Sequence, residues 1–480
     1  GDNTWQAISS APEVTATASG TIPDGSSVIV KSDGTVSVVA AEAATVGSSG
    51  DIEDTAFYDR WAAHDPVNNK VLVIFKAGNN HLKAIVGTVS GTSISWGSSV
   101  TFYSGQAQQL HLAWHAYRSK FVICYSRSSP DKAYIGTVTI SGTTPSISNQ
   151  VQLATSHQNE HPRIAFDGSG GGVVTYREYI NNYLVCRAFT QAADGSISIG
   201  SQLTPAGNIT SRWMDVAYDS ANDKYQFFYM ISSNNTRGTV SGSVNNINSM
   251  SFGTAISFNA SASNLNNKYM ILECVGAGKF LGIFSDGDNS EKPTATMITV
   301  SGTTSTFGST AVLHDGESVA ANSHSLSKYE AISDTYVYTF QDYGDNSEFK
   351  SVTFKCTTSG VSDIQSEVVL DSSSNNQVFT CYDSTAKALI GVYRDGSNSS
   401  YGTYIVQKLA TTNVDNGNFL GFASAAYTNG QTATIKVVGN TVTKSSLTPG
   451  KKYYIQHNGT IGTTAADPSV EAGIALSSTK

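Results

Sequence analysis

One phrase of small, β-branched and polar residues recurs along this chain. It reads IVGTVSGTSISWGSSVTF from residue 85, and near-copies begin at residues 135, 297 and 352. In each copy, strand-forming residues flank a Ser-Gly turn, which is the pattern of an antiparallel hairpin. Because the phrase belongs to a unit that recurs at a spacing of roughly fifty residues, we expect a repetitive β-structure.

The unit predicts four strands. A first strand ends in a polar turn, a second and more apolar strand follows, and a third strand leads through the Ser-Gly turn into a fourth. The second strands are the clearest: VLVIFKA, FVICYSR, VVTYRE, YQFFYMI, FLGIFSD, YVYTFQD and ALIGVYRD. Counting first strands predicts seven units, which begin near residues 60, 109, 161, 211, 268, 327 and 376.

Composition supports an all-β fold. The 480 residues include 43 Gly, 23 Tyr and 19 Phe, only 14% are charged, and good helix formers are scarce. A four-stranded sheet cannot bury both of its faces alone, whereas sheets in a ring pack on one another and leave no long open edge. We therefore predict a seven-bladed β-propeller, with six blades as the alternative because the fifth and sixth units are the least regular.

The two ends of the chain predict how the ring closes and what lies beside it. The seventh unit supplies only three strands before the pattern changes at residue 411, so an N-terminal strand within residues 35–49 is expected to complete it. Outside the repeats, residues 21–39 and 447–464 share a Pro-bearing turn and a hairpin with an Asn-Gly or Asp-Gly turn. The predicted domains are an N-terminal β segment (1–34) that packs with the C-terminal module, the propeller (35–410) and a C-terminal β module (411–480).

Charge, hydropathy and cysteine usage exclude several classes of protein. A thinly spread net charge of −8 argues against nucleic-acid binding. No apolar run reaches the roughly 18 residues of a membrane span, so a soluble protein is expected. The cysteines are widely spaced, without a Cys-x-x-Cys pair, and are interpreted as reduced core residues of a protein that matures in a cytoplasm: Cys124, Cys186, Cys274, Cys356 and Cys381.

Cations and aromatic residues gather where the chain leads into the first strands. With one tyrosine from a loop predicted on the same face, they form the candidate ligand-binding set: Arg60, His111, His161, Arg163, Arg212, Trp213, Lys268, Tyr269, His324 and Tyr343. Arginine and histidine can hydrogen-bond sugar oxygens, and aromatic rings can stack on sugar faces, so this set predicts a pocket for an acidic or neutral sugar. The alternative interpretation is solvated loop ends, or side chains that satisfy carbonyls around a central channel.

Metal and cofactor sites are not expected. Clustered aspartates (Asp286, Asp288, Asp342 and Asp345) suggest calcium, but the full twelve-position calcium loop is absent. The histidine pairs of HLAWH and HQNEH would lie roughly 13 Å apart in a strand, too far to share one zinc ion.

Catalysis is not expected either. A sialidase-like triad is only suggested by three arginines from separate repeats, Arg60, Arg163 and Arg212. A glycosidase needs two carboxyl groups at a fixed separation, and nothing in the sequence fixes the separation of Glu160 and Asp215. Paired buried carboxylates at the candidate site would favour an enzyme.

Three segments carry a resemblance to a known group of proteins. YRDGSNSSYGTYIV, VSGTSISWGSSVTF and the C-terminal run that begins NFLGFASAAYTNGQTATIKVVGN resemble repetitive structural proteins of marine tailed bacteriophages, of the cyanophage type. The resemblance covers nearly the whole chain. It implies a virion structural protein, a tail fibre or appendage on the exterior of the particle, made in the host cytoplasm and involved in recognition of the host surface.

The expected partners follow from that resemblance. They are other virion proteins, a host cell-surface glycan or protein, and further copies of the chain in a homo-oligomer. Two alternatives stay open: a purely structural virion part (collar, sheath decoration or head fibre) that binds only other virion proteins, and a polysaccharide-degrading enzyme. A broad apolar face would favour the structural part, whereas a concave face lined by Arg, His and Tyr would favour glycan binding.

Overall fold

A computed structural model describes residues 12–128, 131–153, 159–178, 180–232, 236–258, 270–286, 289–316, 319–373 and 375–480. These residues form strands and turns and contain no α-helix, so the all-β prediction is confirmed. Across the same ranges no helix is long and apolar enough to cross a membrane. The chain divides into two compact units. The larger comprises the described parts of 46–330 and 334–408, and the smaller those of 1–45, 331–333 and 409–480.

Short strands precede the repeats, and the first repeats then fold into antiparallel sheets. The preceding strands are β1 (Glu13–Thr17), β2 (Ser27–Val30), β3 (Val36–Val38), β4 (Ala41–Glu42) and β5 (Thr45–Val46). The first sheet contains β6 (Gly50–Asp65), β7 (Lys70–Ala77), β8 (Leu82–Ser90), β9 (Ser93–Trp96) and β10 (Val100–Tyr103). The second contains β11 (Ala107–His115), β12 (Lys120–Ser128), β13 (Asp131–Ser141) and β14 (Thr144–Gln152).

The later repeats follow the same order. The third sheet contains β15 (Asn159–Phe166), β16 (Gly171–Glu178), β17 (Leu184–Gln191) and β18 (Ile197–Ile199). The fourth contains β19 (Ser211–Asp219), β20 (Lys224–Ile231), β21 (Thr236–Asn246), β22 (Ser249–Phe252) and β23 (Ile256–Phe258). The fifth contains β24 (Met270–Gly276), β25 (Lys279–Asp286), β26 (Lys292–Ser301) and β27 (Thr304–Val312).

The sixth repeat begins earlier than the sequence predicts. Its sheet contains β28 (Val319–Lys328), β29 (Thr335–Asp342), β30 (Glu348–Thr357), β31 (Gly360–Ser362) and β32 (Val368–Asp371). The predicted start near residue 327 therefore falls at the end of the first strand. The last repeat contributes β33 (Asn375–Asp383), β34 (Ala388–Asp395) and β35 (Tyr401–Lys408).

The recurring phrase of the sequence is the hairpin between the third and fourth strands of a sheet. It joins β8 to β9, β13 to β14 and β26 to β27. The glycine of each turn, Gly91, Gly142 or Gly302, has a φ of 64°, 62° or 63°. This left-handed backbone costs little only without a Cβ atom, which explains why the Ser-Gly pair recurs.

Strand β6 belongs to two sheets. Its second half, from Phe57 to Asp65, pairs with β7, whereas its first half, between Gly50 and Ala56, pairs with β35 of the last sheet. The sequence predicts a closing strand within residues 35–49. The end of that segment does pair with the last sheet, through β5 and β35, whereas β3 pairs with β2. The segment GDIEDTA, which also pairs with β35, buries Ile52 but exposes Asp51 and Asp54, so it lacks the apolar alternation that marks the other strands.

Apolar clusters lie between successive sheets. For example, Leu72 and Ile74 of the first sheet pack with Leu112 and Ile123 of the second. Comparable clusters join each later sheet to the next, and Val73 and Phe75 of the first sheet pack with Ile390 and Val392 of the last. The second strand of a sheet is thus covered on both faces, which explains runs such as VLVIF.

The smaller unit combines strands from both ends of the described chain. Its C-terminal strands are β36 (Thr411–Thr412), β37 (Phe419–Ala423), β38 (Thr432–Lys436), β39 (Lys452–Ile455), β40 (Ile461–Gly462) and β41 (Glu471–Ile474). One sheet has the order β1-β38-β37-β2-β3, a second has the order β40-β39-β41, and β4 pairs with β36. Val28, Val36 and Ile435 lie in its core.

Candidate functional site

A cavity of about 270 Å³ lies where the first strands of the sheets in the larger unit meet. Residues of β6, β11, β15, β19, β24, β28 and β33 line it. Ligand pockets commonly range from about 300 to 1,000 Å³, so this cavity suits a small ligand.

A β-bulge interrupts many of the first strands beside the cavity. The pairing with the second strand shifts between Tyr58 and Arg60 in β6, and equivalent shifts occur in β11, β15, β19 and β33. Asp59, Gln109, His161 and Gln377 lie within these bulges and have left-handed backbones, with φ of 25°, 57°, 53° and 57°. For residues other than glycine this conformation costs about 1–3 kcal/mol, and such strain concentrates at functional sites.

Side chains of the bulges tie neighbouring first strands together. The Gln109 backbone N–H donates to Asp59 Oδ2 at 3.0 Å, and the His161 backbone N–H donates to Gln109 Oε1 at 3.4 Å. On the other side, Arg60 Nη1 donates to Gln377 Oε1 at 2.9 Å. These bonds fix where the bulged side chains lie, so the cavity is held by a connected polar network.

Strand register places one residue of each first strand in a common layer at the cavity. This first layer consists of Trp61, His111, Arg163, Asp215, Ile271, Ser325 and Phe379. All of them line the cavity. The same structural position therefore carries a different chemistry in each repeat, as expected where a repeat fold builds an asymmetric site.

Two residues further along each first strand lies a second layer. It consists of Ala63, Ala113, Ala165, Ala217, Glu273, Ser327 and Cys381. Among these described positions Glu273 is the only ionisable oxygen acid and the only long side chain, and it lines the cavity. A carboxylate thus occupies a layer of otherwise small side chains.

One side of the first layer is aromatic. The rings of Trp61 and Phe379 have centroids 4.2 Å apart, and those of Trp61 and His111 are 4.5 Å apart. The Arg163 guanidinium lies 4.8 Å from the Trp61 ring centroid, a cation–π contact. Near the bulges, the His161 and Trp213 rings are 4.0 Å apart.

The other side carries charge. Arg163 Nε lies 4.0 Å from Asp215 Oδ1. Asp215 is also held by the backbone, because Oδ1 accepts from the Val216 N–H at 2.9 Å and Oδ2 accepts from the Leu272 N–H at 2.8 Å. Burial raises the pKa of Asp215 to about 6, although Arg163 and the two N–H groups favour its ionised form. Asp215 is therefore a carboxylate fixed in position.

Glu273 has a different environment. Within the described residues its carboxyl group has no hydrogen-bond partner. Burial, and then the neighbouring charge of Asp215, raise the pKa of Glu273 to about 7, while Lys328 acts to lower it. Glu273 thus retains a proton at a pH where Asp215 has begun to lose its own.

Several buried nitrogens at the cavity have no hydrogen-bond partner among the described residues. They are Arg60 Nε, His111 Nδ1 and Trp213 Nε1. Arg60 is 6% exposed and His111 is 7% exposed. Burial lowers the pKa of Arg60 to about 9, and burial with the nearby Arg163 charge lowers the pKa of His111 well below its usual value. Unsatisfied buried donors of this kind call for a ligand that accepts hydrogen bonds.

The structure places the sequence-predicted residues in three groups. Arg60, His111, His161, Arg163 and Trp213 line the cavity together. Tyr343 lies in the turn after β29, is 49% exposed and is not among the lining residues. The remaining predictions, the side chains of Arg212 and His324 and the residues Lys268 and Tyr269, lie outside the part of the chain that the structure describes.

Sequence reasoning missed other residues of the site. Asp59, Trp61, Gln109, Glu273, Gln377 and Phe379 also line the cavity. A signal for most of them was present, because Asp59, Gln109, His161 and Gln377 each lie six residues before an Asp or His at the end of the first strand or directly after it: Asp65, His115, Asp167 or Asp383. Aligning the repeats on that residue places the first layer two residues after the bulge.

Two of the clustered aspartates that suggested calcium, Asp342 and Asp345, bind a lysine. Lys350 Nζ donates to Asp342 Oδ2 at 2.8 Å and also to Asp345. His314, Asp342 and Glu367 offer ligand atoms within 4.8 Å of one another, the described group with metal-binding geometry. Lys350 Nζ lies 3.5 Å from Glu367 Oε2 and therefore already supplies the positive charge there. Asp288 lies outside the described residues.

No protein-family model matches this chain, and no curated protein sequence matches it. Solved structures with a similar arrangement include a periplasmic gluconolactonase of Pseudomonas aeruginosa, at 9% identity and a TM-score of 0.47, over 75% of this chain and 97% of that one. A six-bladed β-propeller lectin of Aleuria aurantia with fucose recognition has 11% identity and a TM-score of 0.41, over 67% and 98%. An oligogalacturonate lyase of Vibrio parahaemolyticus has 8% identity and a TM-score of 0.44, over 82% and 98%.

These likenesses are too distant to assign an activity, but they correct one expectation. The sequence led us to expect that the protein is not an enzyme. Two of the three similar structures are described as enzymes and the third as a lectin, so that exclusion is wrong for this arrangement of sheets.

Proposed function

We propose that the central cavity binds a single sugar residue of a glycan. The observation that carries the proposal is the division of the first layer into an aromatic side (Trp61, Phe379) and a polar side (Arg163, Asp215) around one small cavity. A pyranose ring has apolar C–H faces that stack on aromatic rings and hydroxyl groups that both donate and accept hydrogen bonds. The buried donors of Arg60, His111 and Trp213 would bond to hydroxyl oxygens.

A neutral sugar fits the charge of the cavity better than an acidic one. The arginines Arg60 and Arg163 face three carboxyl groups, those of Asp59, Asp215 and Glu273. A sugar carboxylate would therefore meet at least as much negative as positive charge near pH 7, and like charges in a buried site repel strongly.

Tryptophan fluorescence tests this proposal directly. Titration of the purified chain with simple methyl glycosides should quench or shift the emission, because Trp61 and Trp213 line the cavity. Trp61→Leu should abolish the response to the bound sugar or weaken affinity at least tenfold, whereas Trp96→Leu, a change of the same type between the first and last sheets, should leave affinity unchanged. If both variants bind the sugar with equal affinity, the cavity is not the binding site.

The architecture that we propose for the larger unit is a seven-bladed β-propeller. Its support is the apolar cluster between the last and first sheets and the sharing of β6 by both. A ring of this kind brings every first strand to a common centre, which accounts for the layers around the cavity.

We also propose that the protein is a part of a phage virion, on the exterior of the tail, where it recognises a host-surface glycan. This rests on the sequence resemblance alone, as do the proposed virion partners and homo-oligomer. The concave polar cavity favours glycan recognition over a purely structural virion part. Binding of the purified chain to intact host cells, lost in Trp61→Leu and retained in Trp96→Leu, would support it. Cell binding that persists in Trp61→Leu would point to another surface.

A further inference from the structure

We propose that Glu273 and Asp215 form an acid–base pair that hydrolyses the glycosidic bond of the bound sugar, with Glu273 as the proton donor and Asp215 as the base for water. The inference rests on the proposed sugar-binding function and adds a reaction to it. Three observations carry it, and each concerns the described residues of the cavity.

The first observation is the place of Glu273 in the repeat. The other first strands carry Ala, Ser or Cys at this position, with Ala63, Ala165 and Ala217 as examples. Small side chains there leave room beneath the first layer, and only β24 fills that room with a carboxyl group. Neither strand pairing nor packing requires a glutamate at a position where six equivalent residues are small.

The second observation is that the two carboxyl groups are held differently. Asp215 accepts from two backbone N–H groups and lies 4.0 Å from the Arg163 guanidinium, and these groups favour its ionised form against the burial that raises its pKa. Glu273 has no such partner among the described residues, and the charge of Asp215 opposes its ionisation. A pair of carboxyl groups whose environments separate their protonation states is the arrangement that glycoside hydrolysis uses.

The third observation is that the same cavity contains buried, unpartnered polar atoms. Arg60 Nε and His111 Nδ1 belong to side chains more than nine-tenths buried and lack partners in the described chain. They point to a ligand independently of the carboxyl groups. Together with Trp61 and Phe379, which also line the cavity, they would hold the sugar ring while its glycosidic bond lies at the carboxyl pair.

The reaction balances with water as the co-reactant. The Glu273 carboxyl proton passes to the glycosidic oxygen, and the bond from that oxygen to the anomeric carbon breaks. A water oxygen bonds to the anomeric carbon, and its proton passes to Asp215. Proton transfer from Asp215 to Glu273, directly or through solvent, restores the starting state. Catalysis requires Asp215 ionised and Glu273 protonated at the same time.

The pH profile should therefore be bell-shaped. Asp215 has a pKa of about 6 and Glu273 a pKa of about 7, so the rate should peak between these values and fall on either side. The charged groups that face Glu273 are Asp215, Lys328 and Glu330, and Arg163 faces Asp215. Lys328→Met should move the alkaline limb to higher pH, because the lysine favours the ionised form of Glu273.

The decisive experiment measures binding and cleavage in the same samples. Methyl and 4-nitrophenyl glycosides of common neutral hexoses and deoxyhexoses are titrated against the full chain, with binding followed by tryptophan fluorescence and cleavage by released sugar. Glu273→Gln should retain binding and lose at least about 100-fold in rate on the methyl glycoside, with a much smaller loss on the 4-nitrophenyl glycoside, whose leaving group needs no proton. Asp215→Asn should lose rate on both.

The outcomes separate this inference from the proposed function. Binding without cleavage by the wild-type chain would overturn the inference and leave sugar binding intact, whereas the absence of any binding would overturn both. Equal losses on the two glycosides in Glu273→Gln would indicate a structural role and also reject the inference. Glu13→Gln, a matched change in the smaller unit, serves as the control, and near-ultraviolet circular dichroism verifies that each variant is folded.

Discussion

Two clusters of charged groups in the larger unit have opposite kinds of environment. Around Lys350, the ammonium group lies within 3.5 Å of carboxylate oxygens of Asp342, Glu348 and Glu367. His314 adds a contact to Asp342 at 3.4 Å. At the cavity, by contrast, Arg60 Nε and His111 Nδ1 have no hydrogen-bond partner within the described chain, and the charge of Asp215 opposes ionisation of Glu273.

The difference distinguishes structural charge from functional charge. A buried ion pair with complete partners holds a fold together, because removing one member leaves the others uncompensated. Unpartnered buried polar groups reduce stability instead, and a sequence retains them where a ligand completes them. Variants at the two clusters should therefore change stability in opposite directions.

Removal of the lysine should have the largest effect. Lys350→Met leaves Asp342, which is 2% exposed, as a buried carboxylate without its cation. Loss of one member of a buried pair typically costs about 3–5 kcal/mol, so the urea midpoint at pH 7 should fall sharply. An unchanged urea midpoint would mean that the ion pairs around Lys350 contribute no more to stability than the polar groups of the cavity.

Glu273→Gln should stabilise the protein at alkaline pH. The folded pKa of about 7 lies above the ordinary glutamate pKa of 4.5, so the unfolded chain ionises more readily and folding is progressively penalised as pH rises from 4.5 to 7. Above pH 7 the penalty is complete, at roughly 2–3 kcal/mol. The urea midpoint of the variant should exceed that of the wild type at pH 8 and equal it at pH 4. A lower midpoint at pH 8 would mean that Glu273 is a stabilising residue.

His111→Leu should reduce the sensitivity of the fold to mild acid. Because the folded pKa of His111 lies well below the ordinary histidine pKa of 6.5, the unfolded chain gains a proton first, and stability is lost as pH falls below 6.5. Between pH 7 and pH 5 this loss amounts to roughly 1–2 kcal/mol, and the variant should lack it. Unfolding curves of the wild type and the variant at the two pH values test this prediction. An equal loss of stability in both proteins between pH 7 and pH 5 would contradict it.

The smallest effect should come from the exposed edge of the lysine cluster. Asp345 also accepts from Lys350, but its side chain is 64% exposed. Exposed pairs are screened by solvent, so Asp345→Asn should leave the thermal midpoint unchanged. A large drop would show that the whole cluster, and not its buried part, sets stability.

The sequence predicts the strands well where both faces of a strand are covered. Runs such as YQFFYMI and the Ser-Gly turns of the hairpins mark the second, third and fourth strands without ambiguity. The closing segment Gly50–Ala56 escapes detection because an outer strand exposes polar side chains, and polar residues also form loops. Local pattern therefore identifies buried strands better than the strand that joins the ends.

For a related reason, only part of the site can be predicted from the sequence. Arg60, His111 and Arg163 stand out because charge is scarce in this chain. Glu273 does not stand out, because one acidic residue in MILECVG is typical of an ordinary strand with one polar face. Its significance depends on strand register, which shows that the equivalent residues of the other sheets are small, and that register follows only from the pairing of each first strand with its neighbour.

The pairing of strand β6 with two sheets also constrains the order in which the larger unit folds. Its first half is among the earliest segments of the larger unit to leave the ribosome, yet its partner β35 lies some 350 residues later. At about 5–20 residues per second, the segment waits on the order of tens of seconds for its partner. During that interval the growing chain presents an unpaired edge, and the last sheet cannot be completed. Folding of the larger unit should therefore end with a slow, long-range pairing step, and a nascent chain cut before residue 401 should be prone to pair with its neighbours.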